Sequence, residues 1–340
     1  MIRIDLKSKL LNCGSSLPIF EQSYVDKIFS KKYTTVLINN GVASDRFNIY
    51  PNLNSQDLLN GGGRKLNICE LFFKVYQNDI DFKRFVDHGF NSILNLGDAE
   101  RLIKEIILIK PSDLDSKVTS LSNSNQVNSV LNKKIYSIFN YDKHSSTKFH
   151  SIRDSFSSLK FKVCIYCNRN YTSNFLSKGR AKPTFTLDHF YQKEKHPIFS
   201  LSLYNLIPSC SVCNSTIKGS NDLEHYENPF SDLYDFDGLA TFKIMPDYKV
   251  SLVSQDAKCR GYIRDFKINE VYSAHTSEVE SFMKKRQVFT NQVIREVAKI
   301  TNSSEEMVKN KVFGDFQDQS SMGDRSLAKL MSDLYSQLRV

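Results

Sequence analysis

Two C-x-x-C pairs, Cys164-Ile-Tyr-Cys167 and Cys210-Ser-Val-Cys213, stand 42 residues apart in this chain. A tetrahedral zinc ion takes four thiolates, and each C-x-x-C turn can aim two sulfurs at one point. The two pairs together therefore predict a structural zinc site. Such a site adds folding free energy to a segment that lacks a large core of its own. The other cysteines, Cys13, Cys69 and Cys259, stand singly and read as ordinary buried thiols. Seven cysteines with no export signal argue against a disulfide framework.

Between and beside the pairs runs a second series of polar residues. Thr184-Phe-Thr-Leu-Asp188-His189-Phe190 reads as a short strand ending in an acid and an imidazole. Tyr204-Asn205-Leu206-Ile-Pro208 comes next, and Asn214 stands directly after the last cysteine, with Lys218 one helical turn on. Hydrolysis of a phosphodiester needs a water that loses a proton and a cation that holds charge on the phosphate oxygens. His189 is suited to take the proton near pH 7. Successive strand side chains point to opposite faces, which leaves Asp188 for a hard cation. Asn205 can present its amide oxygen to the His189 ring N–H and fix the tautomer. Asn214 offers a second oxygen ligand, and Lys218 can meet a phosphate. Each residue also has a plainer reading: His189 as a hydrogen-bonded structural histidine, Asn205 as the cap of a turn.

The pattern C-x-x-C, L-D-H-F, N-L-I-P-x-C-x-x-C-N-x-x-x-K, over residues 164–218, resembles the HNH (ββα-metal) endonucleases with a zinc knuckle, including the phage resolvase type. The resemblance implies that His189 is the general base, Asp188 and Asn214 the ligands of a catalytic divalent ion, and Asn205 the group that orients the base. Asn214 stands where the family more often has His, which leaves the choice among Mg²⁺, Mn²⁺ and Ni²⁺ open. The stretch His225-Tyr-Glu-Asn228-Pro229-Phe230 is similar to the segment after this motif in HNH proteins of bacterial anti-phage systems, some of which work beside an ABC/SMC-like ATPase. His225 itself reads as a surface histidine. The activity so implied is DNA cleavage; the alternative is a zinc-knuckle subunit that binds nucleic acid without cutting it.

The flanks must position this chemistry. The fold class expected is α+β: mainly helical, around a small central ββα-metal zinc module at 155–250, with helical regions at 1–150 and 260–340. Residues 1–65 read as mixed and loop-rich, and Gly61-Gly62-Gly63 as a flexible turn. Apolar residues at helical spacing predict a helix over 66–86 and another over 98–110, ended by Pro111. The Ser/Asn-rich stretch 112–129 reads as a loop, and Val130 to Phe139 as helix. Val279, Phe282, Met283, Phe289, Val293, Val297 and Ile300 predict one apolar helix face. Ser303 with Glu306 predicts a capping box, and Leu327 to Leu338 a last amphipathic helix.

Lys and Arg exceed Asp and Glu by 46 to 37, a net charge of +9, which suits a polyanionic partner such as nucleic acid. Lys193, Arg169 and His196, with Lys195 and Arg180, are the residues expected around a phosphate path beside Lys218. No membrane-spanning run is present in the sequence, so a cytoplasmic protein is expected, and nothing fixes its oligomeric state.

Overall fold

A computed structural model describes residues 2–31, 33–34, 65–123, 128–145, 152–177, 180–314 and 319–337. It is mainly helical, with four small antiparallel two-stranded sheets among the described residues, so the fold class is α+β. No described helix is long and apolar enough to cross a membrane. The glycine run 61–63 lies outside the described residues.

The first part of the chain is a layer of helices: α1 (Leu6–Asn12), α2 (Leu17–Ser30), α3 (Ile68–Asn78), α4 (Ile80–Gly89), α5 (Leu96–Leu108), α6 (Pro111–Asn123), α7 (Ser129–Ile138), α8 (Tyr141–Ser145) and α9 (Ile152–Ser158). One short antiparallel pair, β1 (Tyr33–Thr34) with β2 (Lys65–Leu66), stands beside them. Two of the helices precede residue 31, where a loop-rich segment was expected. The helix expected over 66–86 is two. Asp79 closes α3 and caps α4, accepting from the Phe82 amide at 2.9 Å, and an N-cap needs non-helical backbone. Asn67 with Glu70, and Asn95 with Asp98, form reciprocal capping boxes.

Residues 111–123 are a helix rather than a loop. Pro111 sits in its first turn, where the missing N–H costs nothing, and Leu114, Val118 and Leu121 are buried at i, i+4 and i+7. Burial of that stripe outweighs the poor helix propensity of the serines. Phe72, Phe82 and Phe139 meet edge to face at 5.0 and 6.0 Å in the core of this layer.

The central segment carries three short hairpins: β3 (Asn174–Ser177) with β4 (Arg180–Pro183), β5 (Thr186–His189) with β6 (Leu206–Ser209), and β7 (Ala240–Ile244) with β8 (Val250–Ser254). In the middle one Asp188 pairs with Ile207 and His189 with Leu206. A π-helical segment, Val212–Lys218, follows β6 after two intervening residues. Gly219 ends it at φ +52°, in the left-handed region that glycine tolerates, and its amide donates to Asn214 O five residues back.

Helices close the chain: α10 (Phe236–Leu239) before β7, then α11 (Ala257–Asp265), α12 (Ile268–Tyr272), α13 (Thr276–Val288), α14 (Asn291–Ile300), α15 (Glu305–Phe313) and α16 (Ala328–Gln337). The single face expected from Val279 to Ile300 breaks at Thr290, the N-cap of α14, and Ile300 is 84% exposed. The cap of α15 is Ser304, one residue later than expected, accepting from Met307 N. The buried apolar residues form one cluster running from Ile2 to Tyr335, so the flanks and the central segment share a core. The amides of Ile2 and Ile4 donate to Ile165 O and Pro229 O and tie the N-terminus into the centre.

Candidate metal centre and acid–imidazole pair

The two C-x-x-C turns converge. The sulfurs of Cys164, Cys167, Cys210 and Cys213 all lie within 4.8 Å of one another, and all four residues are buried. Zinc–sulfur bonds of about 2.3 Å set tetrahedral edges of about 3.8 Å, so the cluster fits one zinc with small inward movement of the thiols. Local backbone explains the convergence. Asn168, directly after the first pair, is left-handed at φ +51°, and its amide bonds Cys164 O at 2.9 Å. The Ile165 amide reaches Pro208 O on β6 at 3.4 Å, lashing the first turn to the strand that leads into the second. The Asn170 amide nitrogen donates to Cys210 Sγ at 3.2 Å.

Hydrogen bonding among the thiols lowers Cys210 and Cys167, Cys164 being the principal partner of each. Cys164 is raised by burial, and Cys213 by hydrogen bonds to its three neighbours. A divalent ion bound here displaces the remaining thiol protons and makes four thiolates. With no place left for water, such a site is structural.

Tyr166, between the first two cysteines, carries the effect of this cluster onward. Its hydroxyl donates to Asp188 Oδ2 at 2.6 Å, its ring packs on Phe266 at 4.6 Å, and its carbonyl accepts from Tyr262. The other oxygen, Asp188 Oδ1, accepts from Lys218 Nζ at 2.9 Å, and Lys218 also donates to His189 O at 3.2 Å. Both side chains of this ion pair are 4% exposed. Burial raises the Asp188 carboxyl above its ordinary range, against the opposing pull of Lys218 and Tyr166.

The π-helical segment lies along β5 in matched steps. Asn214 Nδ2 donates to Thr186 Oγ1 at 2.9 Å, and four residues on Lys218 meets Asp188, two residues on in the strand. Thr186 and Asp188 share a strand face, so His189 projects from the other. Its Nε2 lies 3.0 Å from Ser200 O; a carbonyl only accepts, so Nε2 carries the proton and Nδ1 the lone pair. The Tyr141 ring of α8 closes on the imidazole edge to face at 4.4 Å. Burial lowers the His189 pKa to about 3, which keeps the ring neutral through the physiological range.

Ser200 is itself held by the helical layer. Its hydroxyl donates to Phe139 O at the end of α7, and Ser202 donates to Ile106 O in the last turn of α5. Both satisfy carbonyls that a helix end leaves without partners. The helix ends thus fix the loop that orients the imidazole.

Asn205 does not touch the His189 ring. Its Oδ1 accepts from Tyr191 N at 2.7 Å, and its Nδ2 donates to Tyr191 O and Phe199 O at 3.1 and 3.0 Å. It clamps the two ends of the 190–205 loop, and the backbone carbonyl of Ser200 orients the imidazole instead. Lys218 is buried on Asp188 rather than open to a phosphate. Lys193 lies 3.4 Å from Asp142 Oδ1 and over the Tyr141 ring, and His196 bonds Glu224 at 2.6 Å with 8% exposure. Arg169 is half-buried beside the first cysteine pair, its Nε enclosed without a hydrogen-bond partner among the described residues. His225 is exposed, against the Tyr226 ring.

A divalent ion on Asp188 and Asn214 does not fit this arrangement as it stands. Both Asp188 oxygens are engaged, and only Asn214 Oδ1 accepts no hydrogen bond from a described residue. Lys218 and such an ion compete for one oxygen. Sequence reasoning missed Tyr166 and Ser200. The tyrosine inside the first C-x-x-C was a readable signal for the former; a backbone carbonyl offers none. No family model, no curated protein and no solved structure matches the chain.

Proposed function

We propose that this chain is an HNH-type nuclease that hydrolyses phosphodiester bonds of DNA. One observation carries the reading: Asp188 and His189 stand together on a strand whose partner strand leads, through the last two cysteines, into a helical segment that presses Asn214 and Lys218 back onto it. With Nε2 committed to Ser200, His189 Nδ1 takes the proton of a water as that water's oxygen bonds to phosphorus. The bond from phosphorus to the 3′ oxygen breaks, leaving 5′-phosphate and 3′-hydroxyl ends once that oxygen is protonated. Lys218, buried on Asp188, holds that carboxylate in place rather than meeting the phosphate. In the four-cysteine cluster zinc would fix the Tyr166 turn and so the direction of Asp188.

The arrangement is a closed one under this reading, because Tyr141 covers a base that is only 8% exposed. Substrate reaches Nδ1 when α8 moves, and a partner acting on the helical layer, of which an ABC/SMC-like ATPase in anti-phage defence is the proposed example, is one means of moving it. The deciding assay is plasmid nicking with Mg²⁺, Mn²⁺ or Ni²⁺ in turn, for wild type, His189→Ala and Tyr141→Ala. Nicking by wild type, lost in His189→Ala and raised in Tyr141→Ala, is expected. Equal behaviour of wild type and His189→Ala with every metal overturns the proposal.

The burial of Asp188, His189 and Lys218 favours a second reading, a zinc-knuckle module that binds nucleic acid without cutting. Salt-dependent DNA binding by all three proteins, with no nicking even in Tyr141→Ala, selects it.

A further inference from the structure

Lys193, Lys195 and His196 are paired and Arg169 is half-buried, whereas another segment of the surface keeps exposed lysines. From Ser155 to Leu187 the chain holds six basic residues (Lys160, Lys162, Arg169, Lys178, Arg180 and Lys182) and no acidic one. Lys162 is shared with Asp324 at 3.5 Å, but Lys160 and Lys182 are exposed and have no ion-pair partner among the described residues. The same segment exposes apolar rings. Tyr171 is 65% and Phe175 52% exposed.

These groups are arranged, not scattered. Thr172 is buried and Asn174 bonds Ser157 O at 3.0 Å, so Tyr171, Ser173 and Phe175 alternate with them onto one face, while Leu176 on the other is 78% exposed at the hairpin's free end. Four residues of extended chain span at most about 13 Å between their two Cα atoms. The register of the β3–β4 hairpin sets Lys182 directly opposite Phe175, so an exposed ammonium stands beside an exposed ring. Exposed aromatics alone would suit a protein partner. A run of six cations with no anion suits a polyanion, and rings beside cations suit one whose bases are free to stack. In a duplex the bases already stack on each other, which leaves phosphates alone to contact.

We infer that the β3–β4 hairpin is a docking surface for single-stranded nucleic acid, with unpaired bases on Tyr171 and Phe175 and phosphates on Lys182 and Lys160. The inference deepens the nuclease reading and rests on it for its biological sense. Lys182 is six residues from Asp188 along the chain, so a strand held there lies within about 20 Å of the acid–imidazole pair.

The test is fluorescence anisotropy with a labelled 20-nucleotide single strand and the duplex of the same sequence, over a range of salt. Wild type, the Tyr171→Ala/Phe175→Ala pair, Lys182→Ala and His189→Ala are compared. Zinc content and circular dichroism certify the fold of each. Loss of two stacking platforms is expected to weaken single-strand binding by about tenfold or more and duplex binding far less. Lys182→Ala is expected to lower the salt slope by about 0.7. Folded hairpin variants that bind the single strand like wild type overturn the inference, whether or not the protein cuts. If they instead lose self-association in light scattering, the surface belongs to a protein partner and the inference is likewise wrong. Hairpin-dependent binding in a wild type that never nicks removes the nuclease reading and leaves this surface standing.

Discussion

The helical layer before residue 145 and the segment from Phe161 to Gly219 are held by different forces. In the layer, apolar stripes on α3 to α7 bury Phe72, Phe82, Ile103 and Ile107 completely, and polar contacts such as the helix caps and the Tyr76–Asp87 bond are secondary to them. The central segment has strands of four residues, too short to be stable alone. It is held by side-chain-to-backbone bonds, by four sulfurs and by a buried ion pair. Where periodic burial runs out, specific polar contacts take over, and four cysteines converge where a metal ion could sit.

Zinc removal should separate the two regions most sharply. Cys210→Ser, or stripping with a strong chelator, is expected to remove one equivalent of zinc by elemental analysis. It should cost the central segment on the order of 10 kcal/mol of metal-linked folding energy. In hydrogen exchange, amides of β5, β6 and the π-helical segment lose protection while those of α3 and α5 keep most of theirs. Uniform loss in both regions would mean that they do not differ as described.

Single side chains sharpen the contrast. Phe72→Ala leaves a cavity among fully buried rings and is expected to cost about 3–5 kcal/mol in urea unfolding. Lys218→Ala, at the centre of the other region, strands the Asp188 carboxyl in a buried site and is expected to cost a similar 3–5 kcal/mol. The two differ in rescue. Asp188→Asn together with Lys218→Met removes both charges and should recover most of the loss, whereas no polar change repairs the Phe72 cavity. Because Lys218 holds Asp188 Oδ1, Lys218→Ala should also raise Mn²⁺ affinity by calorimetry; unchanged affinity would detach Asp188 from any metal.

Legibility in the sequence divides along the same line. The layer's helices were readable from the 3.6-residue spacing of residues such as Leu102, Ile103, Ile106 and Ile107. Helix ends were less so, in the layer and after it, because Asp79 and Thr290 are caps whose effect depends on one hydrogen bond. Helix α6 was lost to its serines although Leu114, Val118 and Leu121 carried the period. In the centre, residue type and order singled out the cysteine quartet, and the structure brings it together. Asp188 and His189 do share a strand with Asn214 and Lys218 packed along it, but what each touches was hidden. Lys218 turns inward, Asn205 bonds backbone, and Tyr166 and Ser200 arrive from distant segments. Composition and spacing encode local conformation and burial; they do not encode which carbonyl a side chain will find.

The smallest expected effect concerns the seam where α8 covers β5. Burial lowers both His189 and His144, the latter on α8, to about 3, from an ordinary value near 6.5. Below pH 6.5 the unfolded chain takes up protons that the native imidazoles refuse, so their contribution to stability is full above that pH and drains away as the pH falls toward 3. The slope is about 1.4 kcal/mol per pH unit for each histidine. The buried Asp188 carboxyl, whose pKa is raised, works with the opposite sign, and zinc release adds an acid sensitivity of its own. Comparison of wild type with His189→Gln, both zinc-loaded, cancels much of that background. Between pH 6 and 5 the variant should lose about 1.4 kcal/mol less stability than wild type in urea titrations. Parallel pH profiles would show that His189 is protonated in the native state at mild acid. The Tyr141 ring would then not shield it, and α8 would be no cover over the strand.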